Sequence, residues 1–200
     1  SPNTENLRNF HDEKKFEELL DSIEKEKILL KSKIPTVIKI SPDILDDQIE
    51  KISDLIIKYK VSAIIVSNTA EGNRENLKDN LKHQKCGLSG KPIEEKSNKL
   101  ITKFYKLLNG KIKIIGVGGV DSGISAYKKF LAGASYVQLY TGMVFEGPNI
   151  VVKIKKELKN LLIKDGVKNF REIIGQKVCA SHGRLYRWTE NSFTFFYIRN

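Results

Sequence analysis

Two periods alternate along this chain, and that alternation limits its fold more than any other feature. Thr36-Val-Ile-Lys-Ile40, Ser62-Ala-Ile-Ile-Val66, Lys113-Ile-Ile-Gly-Val117 and Ser135-Tyr-Val-Gln-Leu139 are short apolar runs rich in β-branched residues and bounded by turn formers. Buried parallel strands read this way. Helical patterns lie before, between and after them, over 12–30, 46–59, 93–108, 122–131 and 149–163. In the second, Ile49, Ile52, Leu55 and Ile56 fall at i, i+3, i+6 and i+7 while charges take the other positions, which makes one apolar face. Ile150, Ile154, Leu158 and Leu161 do the same in the last helix, and Gly110 is placed to cap the third. Strands alternating with helices predict βα units around a parallel sheet, the α/β class. Four strands suit a small doubly wound sheet, or half of a (β/α)8 TIM barrel. A full barrel typically needs ~250 residues, and this chain has 200. A half-barrel would leave sheet edges and a sheet interior uncovered.

After Gly175 the pattern stops. Tyr186, Trp188, Phe193, Phe195, Phe196 and Tyr197 crowd the last 25 residues without a helical period, and Phe193-Thr-Phe-Phe-Tyr-Ile198 reads as a strand. The expected division is therefore a barrel half over 1–175 and a separate tail over 176–200. No stretch approaches the roughly 20 apolar residues of a membrane-spanning helix. The chain opens on Ser1-Pro2, so any targeting segment is expected upstream. Lys and Arg number 35 against 24 Asp and Glu, a net charge of +11. The lysines are spread along nearly every segment, as at Lys153, Lys155, Lys156 and Lys159, which reads as a solvated basic surface and not as a nucleic-acid patch. Cys86 and Cys179 make no disulfide framework and show no metal-ligand spacing, which favours a reducing compartment and excludes a zinc module.

In parallel α/β folds the reactive groups sit on loops at the carboxyl ends of the strands. After the third strand come Gly116-Val-Gly-Gly-Val120 and Asp121-Ser122-Gly123, and after the fourth Tyr140-Thr141-Gly142. Side-chain-free backbone next to helix starts suits an anion, and two such loops in succession are where barrels build a phosphate site. Lys39 alternates with Val37 in an otherwise apolar strand, so its ammonium is expected at the barrel mouth, where it needs an anionic partner. Ser67-Asn68-Thr69 puts three hydrogen-bonding side chains after the second strand, a pattern that also serves turn caps. His11, His83 and His182 have no partner pattern, and Ser1 has no triad spacing to mark a hydrolase. Cys86 lies in the Gly-rich Cys86-Gly-Leu-Ser-Gly90, where nothing nearby in sequence marks a reactive thiol.

Taken in order, Ser1-Pro-Asn-Thr4, Val37-Ile-Lys-Ile-Ser-Pro-Asp43, Ser67-Asn-Thr69, Gly87-Leu-Ser-Gly-Lys-Pro92, and Gly116-Val-Gly-Gly-Val120 with Val137-Gln-Leu-Tyr-Thr141 resemble the class 2, quinone-dependent dihydroorotate dehydrogenases. The resemblance runs from Ser1 to about Gly175. It implies the carboxyl-terminal half of an FMN-binding (β/α)8 barrel that oxidises dihydroorotate to orotate in pyrimidine synthesis, with ubiquinone as electron acceptor. By that likeness Ser1 matches the catalytic base that takes the C5 proton, where class 1 enzymes carry a cysteine. Asn3, Asn68 and Thr69 match substrate-binding residues. Lys39, Ser89, Gly90, Gly118, Gly119, Tyr140 and Thr141 match FMN contacts, with Lys39 at the flavin pyrimidine edge. The likeness further implies a mitochondrial inner-membrane protein, attached through an amino-terminal region that this chain does not contain. Asn6 and Cys86 depart from the family's usual glycines, and the tail from Gln176 matches nothing in it. Those features, with the missing first half, lead to the expectation of an incomplete sequence that is inactive in isolation. Another FMN barrel, of the class 1 or dihydropyrimidine dehydrogenase type, and an inactive half-barrel binding protein are the alternatives.

Overall fold

The computed structural model describes residues 10–176 apart from Asn73, Asn76 and Lys85, together with Val178 and the backbone of two strands near the carboxyl terminus. Its elements are α1 (Glu13–Leu29), β1 (Val37–Ile40), α2 (Asp46–Lys58), β2 (Ala63–Val66), α3 (Glu94–Leu107), β3 (Lys113–Val117), α4 (Gly123–Ala132), β4 (Tyr136–Gln138), α5 (Thr141–Glu146) and α6 (Ile150–Lys164), followed by β5 (Tyr186–Thr189) and β6 (Ser192–Phe195). The four strands and five helices expected from periodicity are all present. The six-residue α5 is not among them, because six residues are too few to show a period.

β1 to β4 form one sheet in sequence order, and every pair is parallel. Each parallel step needs a crossover, and α2, α3 and α4 supply the three. This is a run of consecutive βα units, the architecture of a partial TIM barrel. The helices start and stop where local chemistry directs. Asp12 caps α1 by accepting the Lys15 N–H at 3.1 Å. Ser122 caps α4 by accepting the Ser125 N–H, and α4 ends on Gly133 in the left-handed region.

Alternation along the strands separates two faces. Register puts Ile38, Ile64 and Ile114 side by side on one face, with Ile40, Val66, Gly116 and Val137 in the next row. That face packs on the helices, where Ile52, Ile56, Ile101 and Phe104 are buried against Ile64 and Ile114. A second apolar cluster joins α4 to α6 through Tyr127, Phe130, Ile150 and Ile154. On the opposite face Lys39, Ile65, Ile115 and Tyr136 share a row, above Val37, Ala63 and Lys113. No described helix covers that face, and Tyr136 is 58% exposed.

β5 and β6 pair antiparallel in a separate two-stranded sheet. The strand expected over 193–198 coincides with β6 as far as Phe195, and its last three residues lie outside the described set.

Candidate active site

Lys39 of β1, the loops after β2, β3 and β4, α5 and the Gly87–Ile93 segment line a cleft of about 1050 Å³. Nine of the residues singled out in the sequence line it: Lys39, Asn68, Thr69, Ser89, Gly90, Gly118, Gly119, Tyr140 and Thr141. Ser1 and Asn3 lie outside the described residues. A cleft of this size exceeds what a single drug-sized molecule needs, so it has room for a nucleotide-sized cofactor and a small substrate together.

Each wall is held by identifiable bonds. Lys39 projects from the uncovered face of β1, as the alternation with Val37 required. Beyond it, Asp43 ties three segments together: Oδ1 receives the Lys96 ammonium at 2.5 Å and Oδ2 accepts the Glu71 N–H at 2.8 Å. β2 ends in a cis Val66–Ser67 peptide. The Asn68 N–H then donates to the Ile40 carbonyl at 2.8 Å, and its Oδ1 accepts the Thr69 N–H at 2.9 Å. The amide nitrogen of Asn68 is left for the cleft.

Ala70 and Leu88 exchange two backbone hydrogen bonds, at 2.9 and 2.7 Å, which close the base of the excursion between them. Inside it, the Arg74 guanidinium donates to the Glu71 carbonyl at 2.7 Å, the Lys82 carbonyl at 3.2 Å and the Cys86 carbonyl. Cys86 is exposed and outside the cleft lining, so its thiol is not part of this site. Immediately after Leu88, the Thr141 hydroxyl donates to Ser89 Oγ at 2.9 Å and joins this loop to the start of α5.

The glycine pair behaves as the sequence suggested. Gly119 has φ +74°, and a Cβ there would stand 2.4 Å from Glu94 Cβ, so only glycine lets the loop pass this close to α3. Lys91 flanks the loop, 2.7 Å from Glu94 and 3.5 Å from Asp121. Burial lowers the Lys91 pKa, but the Glu94 and Asp121 carboxylates outweigh it and leave the ammonium above its usual value. For Asp121, burial raises the carboxyl while bonds from Ser122 and Ser125 and the Lys91 charge pull it lower, with a net fall.

Sequence reasoning named Ser67 in the Ser67-Asn68-Thr69 run without giving it a site role, and gave none to Gln138. Both line the cleft. Ser67 is 1% exposed, and its hydroxyl has no hydrogen-bond partner among the described residues. A buried hydroxyl without a partner is costly, which points to a polar ligand atom as its partner. Gln138 was available as the polar residue two positions from Tyr136 on the uncovered face. The side-chain-free glycine loop, the inward Lys39 and the unsatisfied Ser67 hydroxyl fit a flavin mononucleotide: backbone and glycine for the phosphate, donors and a cation for the ring's polar edge. Among the described residues no cluster of His, Cys, Asp and Glu could hold a metal ion.

Residues 1–162 match the family model described as dihydroorotate dehydrogenase. A Psychrobacter protein named dihydroorotate dehydrogenase (quinone) is 39% identical over 156 residues, which cover 76% of this chain and 45% of that protein. The mouse mitochondrial dihydroorotate dehydrogenase (quinone) is 38% identical over 177 residues, 88% of this chain and 45% of its own length. Among solved structures, an Eimeria tenella dihydroorotate dehydrogenase in complex with ferulenol superposes with a TM-score of 0.83 at 32% identity, over 88% of this chain and 51% of that one. The chain thus spans about half the length of the relatives it matches.

Proposed function

Because this chain belongs to the dihydroorotate dehydrogenase family, we propose that it supplies the carboxyl-terminal half of an FMN-dependent barrel that oxidises dihydroorotate to orotate, with ubiquinone as the final acceptor, in pyrimidine synthesis. Residues 1–175 form the barrel half and 176–200 a separate tail. The observation that carries this reading is the convergence of nine sequence-selected residues on one cleft beside the unsatisfied Ser67 hydroxyl.

FMN, when bound, supplies the two-electron acceptor. The chain's own residues bind, orient and move a proton. Gly118, Gly119, Thr141 and Gly90 receive the phosphate end, and Tyr140 and Ser89 flank it. Lys39 holds its ammonium at the uncovered face, where a positive charge favours negative charge developing on a neighbouring ring. Asn68 and Thr69 orient the planar, anionic substrate, together with Asn3. Ser1 takes the C5 proton of dihydroorotate. The serine at that position and the quinone enzymes among the relatives favour this reading over a class 1 enzyme.

Met143, Val144 and Phe145 on α5, with Tyr140 just before it, make an exposed apolar ridge beside the cleft, with Phe145 83% exposed. Such an exposed apolar patch is a contact surface for another segment of the protein or for an apolar molecule. Among the described residues no helix is long and apolar enough to cross a membrane. The mouse and Arabidopsis relatives are named mitochondrial, and we extend that location, at the inner membrane and through sequence upstream of Ser1, to this protein.

The test is dihydroorotate-dependent quinone reduction by the complete gene product, with bound flavin read from its visible absorption. Turnover with FMN present is expected, and Ser1→Ala is expected to slow flavin reduction by orders of magnitude with FMN still bound. A complete product that holds no flavin, or reduces it normally without Ser1, overturns the assignment. The 200-residue chain alone is expected to show no turnover; robust activity there would overturn its reading as half of the site.

A further inference from the structure

Lys129 is fully buried in α4, facing the sheet. Its stem crosses β3 at Gly116, where a Cβ would stand 2.9 Å from Lys129 Cδ. Its ammonium donates to Ser97 Oγ and to Asn98 Oδ1, both at 3.0 Å. In its ammonium form a lysine donates and cannot accept, so the Ser97 oxygen then serves as acceptor here and its single proton goes elsewhere. It goes to the Val117 carbonyl at 2.5 Å, with the Val66 carbonyl farther off at 3.4 Å. The same Val117 oxygen accepts the Ser67 N–H at 3.2 Å.

That oxygen belongs to the Val117–Gly118 peptide. A trans peptide is planar, so a carbonyl pinned toward Ser97 sets the Gly118 N–H pointing the opposite way. One buried lysine therefore bears on both walls of the cleft, the glycine loop directly and Ser67 through its backbone. Nothing in the reaction as outlined uses Lys129, and its position is costly. Burial pushes the ammonium down to about 7 even with the Glu94 carboxylate pulling it up. Beside Tyr127, Phe130 and Leu131, Lys129 is the one charged side chain among the buried residues of α4.

We propose that Lys129 is a positioning residue for cofactor binding: through the Ser97 hydroxyl it holds the Val117–Gly118 peptide, and with it the Gly118-Gly119 loop, in the orientation that receives the phosphate of FMN. This rests on the FMN reading given above. Lys129 touches neither substrate nor cofactor in this role; it acts through Ser97.

The experiment compares Lys129→Met, Ser97→Ala and the double variant in the complete gene product. The dissociation constant for FMN is read from flavin fluorescence, and the phosphate environment from the 31P resonance of bound FMN. Each single variant should weaken FMN binding by about tenfold, the worth of one hydrogen bond. The double variant should be no worse than the weaker single, because both act through one hydroxyl. The 31P resonance should move in all three, which a residue that only supports the fold would leave in place. The KM for dihydroorotate should not change once flavin is saturating. Wild-type FMN affinity with an unmoved 31P resonance in folded Lys129→Met overturns the proposal, as do single losses that multiply in the double variant. If Lys129→Met does not fold, Ser97→Ala, which removes one hydroxyl, decides by the same two readings. Failure of the wild-type protein to bind FMN would instead overturn the functional assignment.

Discussion

The two faces of the four-stranded sheet are made by the same strands and differ in almost everything else. On the helix-packed face Ile40, Ile64, Val66 and Ile114 are between 0 and 4% exposed. On the other, Val37 is 44% and Tyr136 58% exposed, and Lys39 and Gln138 lie open to the cleft. The first face is a finished hydrophobic core. The second carries the chemistry and lacks a cover among the described residues. Stability and function are thus sorted by a period of two: moving one residue along a strand crosses from what holds the fold to what the fold is for.

The sharpest way to break this contrast is a pair of truncations. Phe104 is fully buried between α3 and the packed face, and Phe104→Ala should cost about 3–5 kcal/mol in a urea melt. Val37→Ala on the uncovered face should cost well under ~1 kcal/mol in the same chain. Equal losses would mean that the uncovered face is packed in solution.

An effect of comparable total size, but spread over several pH units, tests the buried lysine at the seam. The folded pKa of Lys129 is about 7 against an ordinary 10.5, so between those values the unfolded chain binds more protons. Stability should therefore rise with pH from about 7 to 10.5, by up to ~1.4 kcal/mol per unit. The penalty is fully present below 7 and gone above 10.5. The relevant quantity is the difference from Lys129→Met, since other lysines and tyrosines titrate in the same window. Parallel pH profiles for the two proteins would show that Lys129 is not desolvated.

The smallest effect has opposite signs on the two functions of the cleft. Ser67→Ala removes a buried hydroxyl without a partner, so it should leave the ligand-free chain unchanged or stabilised by up to ~1 kcal/mol. The same substitution should weaken flavin binding in the complete protein. A loss of stability without a loss of affinity would mean that the hydroxyl serves the fold instead.

Much of this was legible in the amino-acid order. The four sheet strands and the five longer helices were, because each shows its period, and the glycine loop was, because consecutive glycines directly after a parallel strand leave side-chain-free backbone at the reactive end of the sheet. Lys39 could be placed inward from the parity of its neighbours. Burial was not legible where it contradicts residue type. A lysine in an amphipathic helix reads as solvent-facing, and only the missing side chain of Gly116, thirteen positions away in sequence, opens room for Lys129. Ser67 and Asn68 look equivalent in a string of hydrogen-bonding residues, yet Asn68 Oδ1 is satisfied by the next backbone N–H and Ser67 Oγ by nothing described. α5 escaped because a single short turn of exposed apolar residues carries neither period.

The bridge between Ala70 and Leu88 has a consequence for how this protein can vary. It fastens both ends of the excursion before Ser89 and Gly90 enter the cleft. Between Glu71, held by Asp43, and Gly87, which lines the cleft, changes in the length or composition of the segment are buffered from the cleft, as a loop clipped at its neck is from the rope. Insertions or substitutions within 75–84 should leave Ser89 and Gly90 where they are, so this stretch is where variation between related proteins, and tags or labels inserted by design, should be absorbed at least cost to binding.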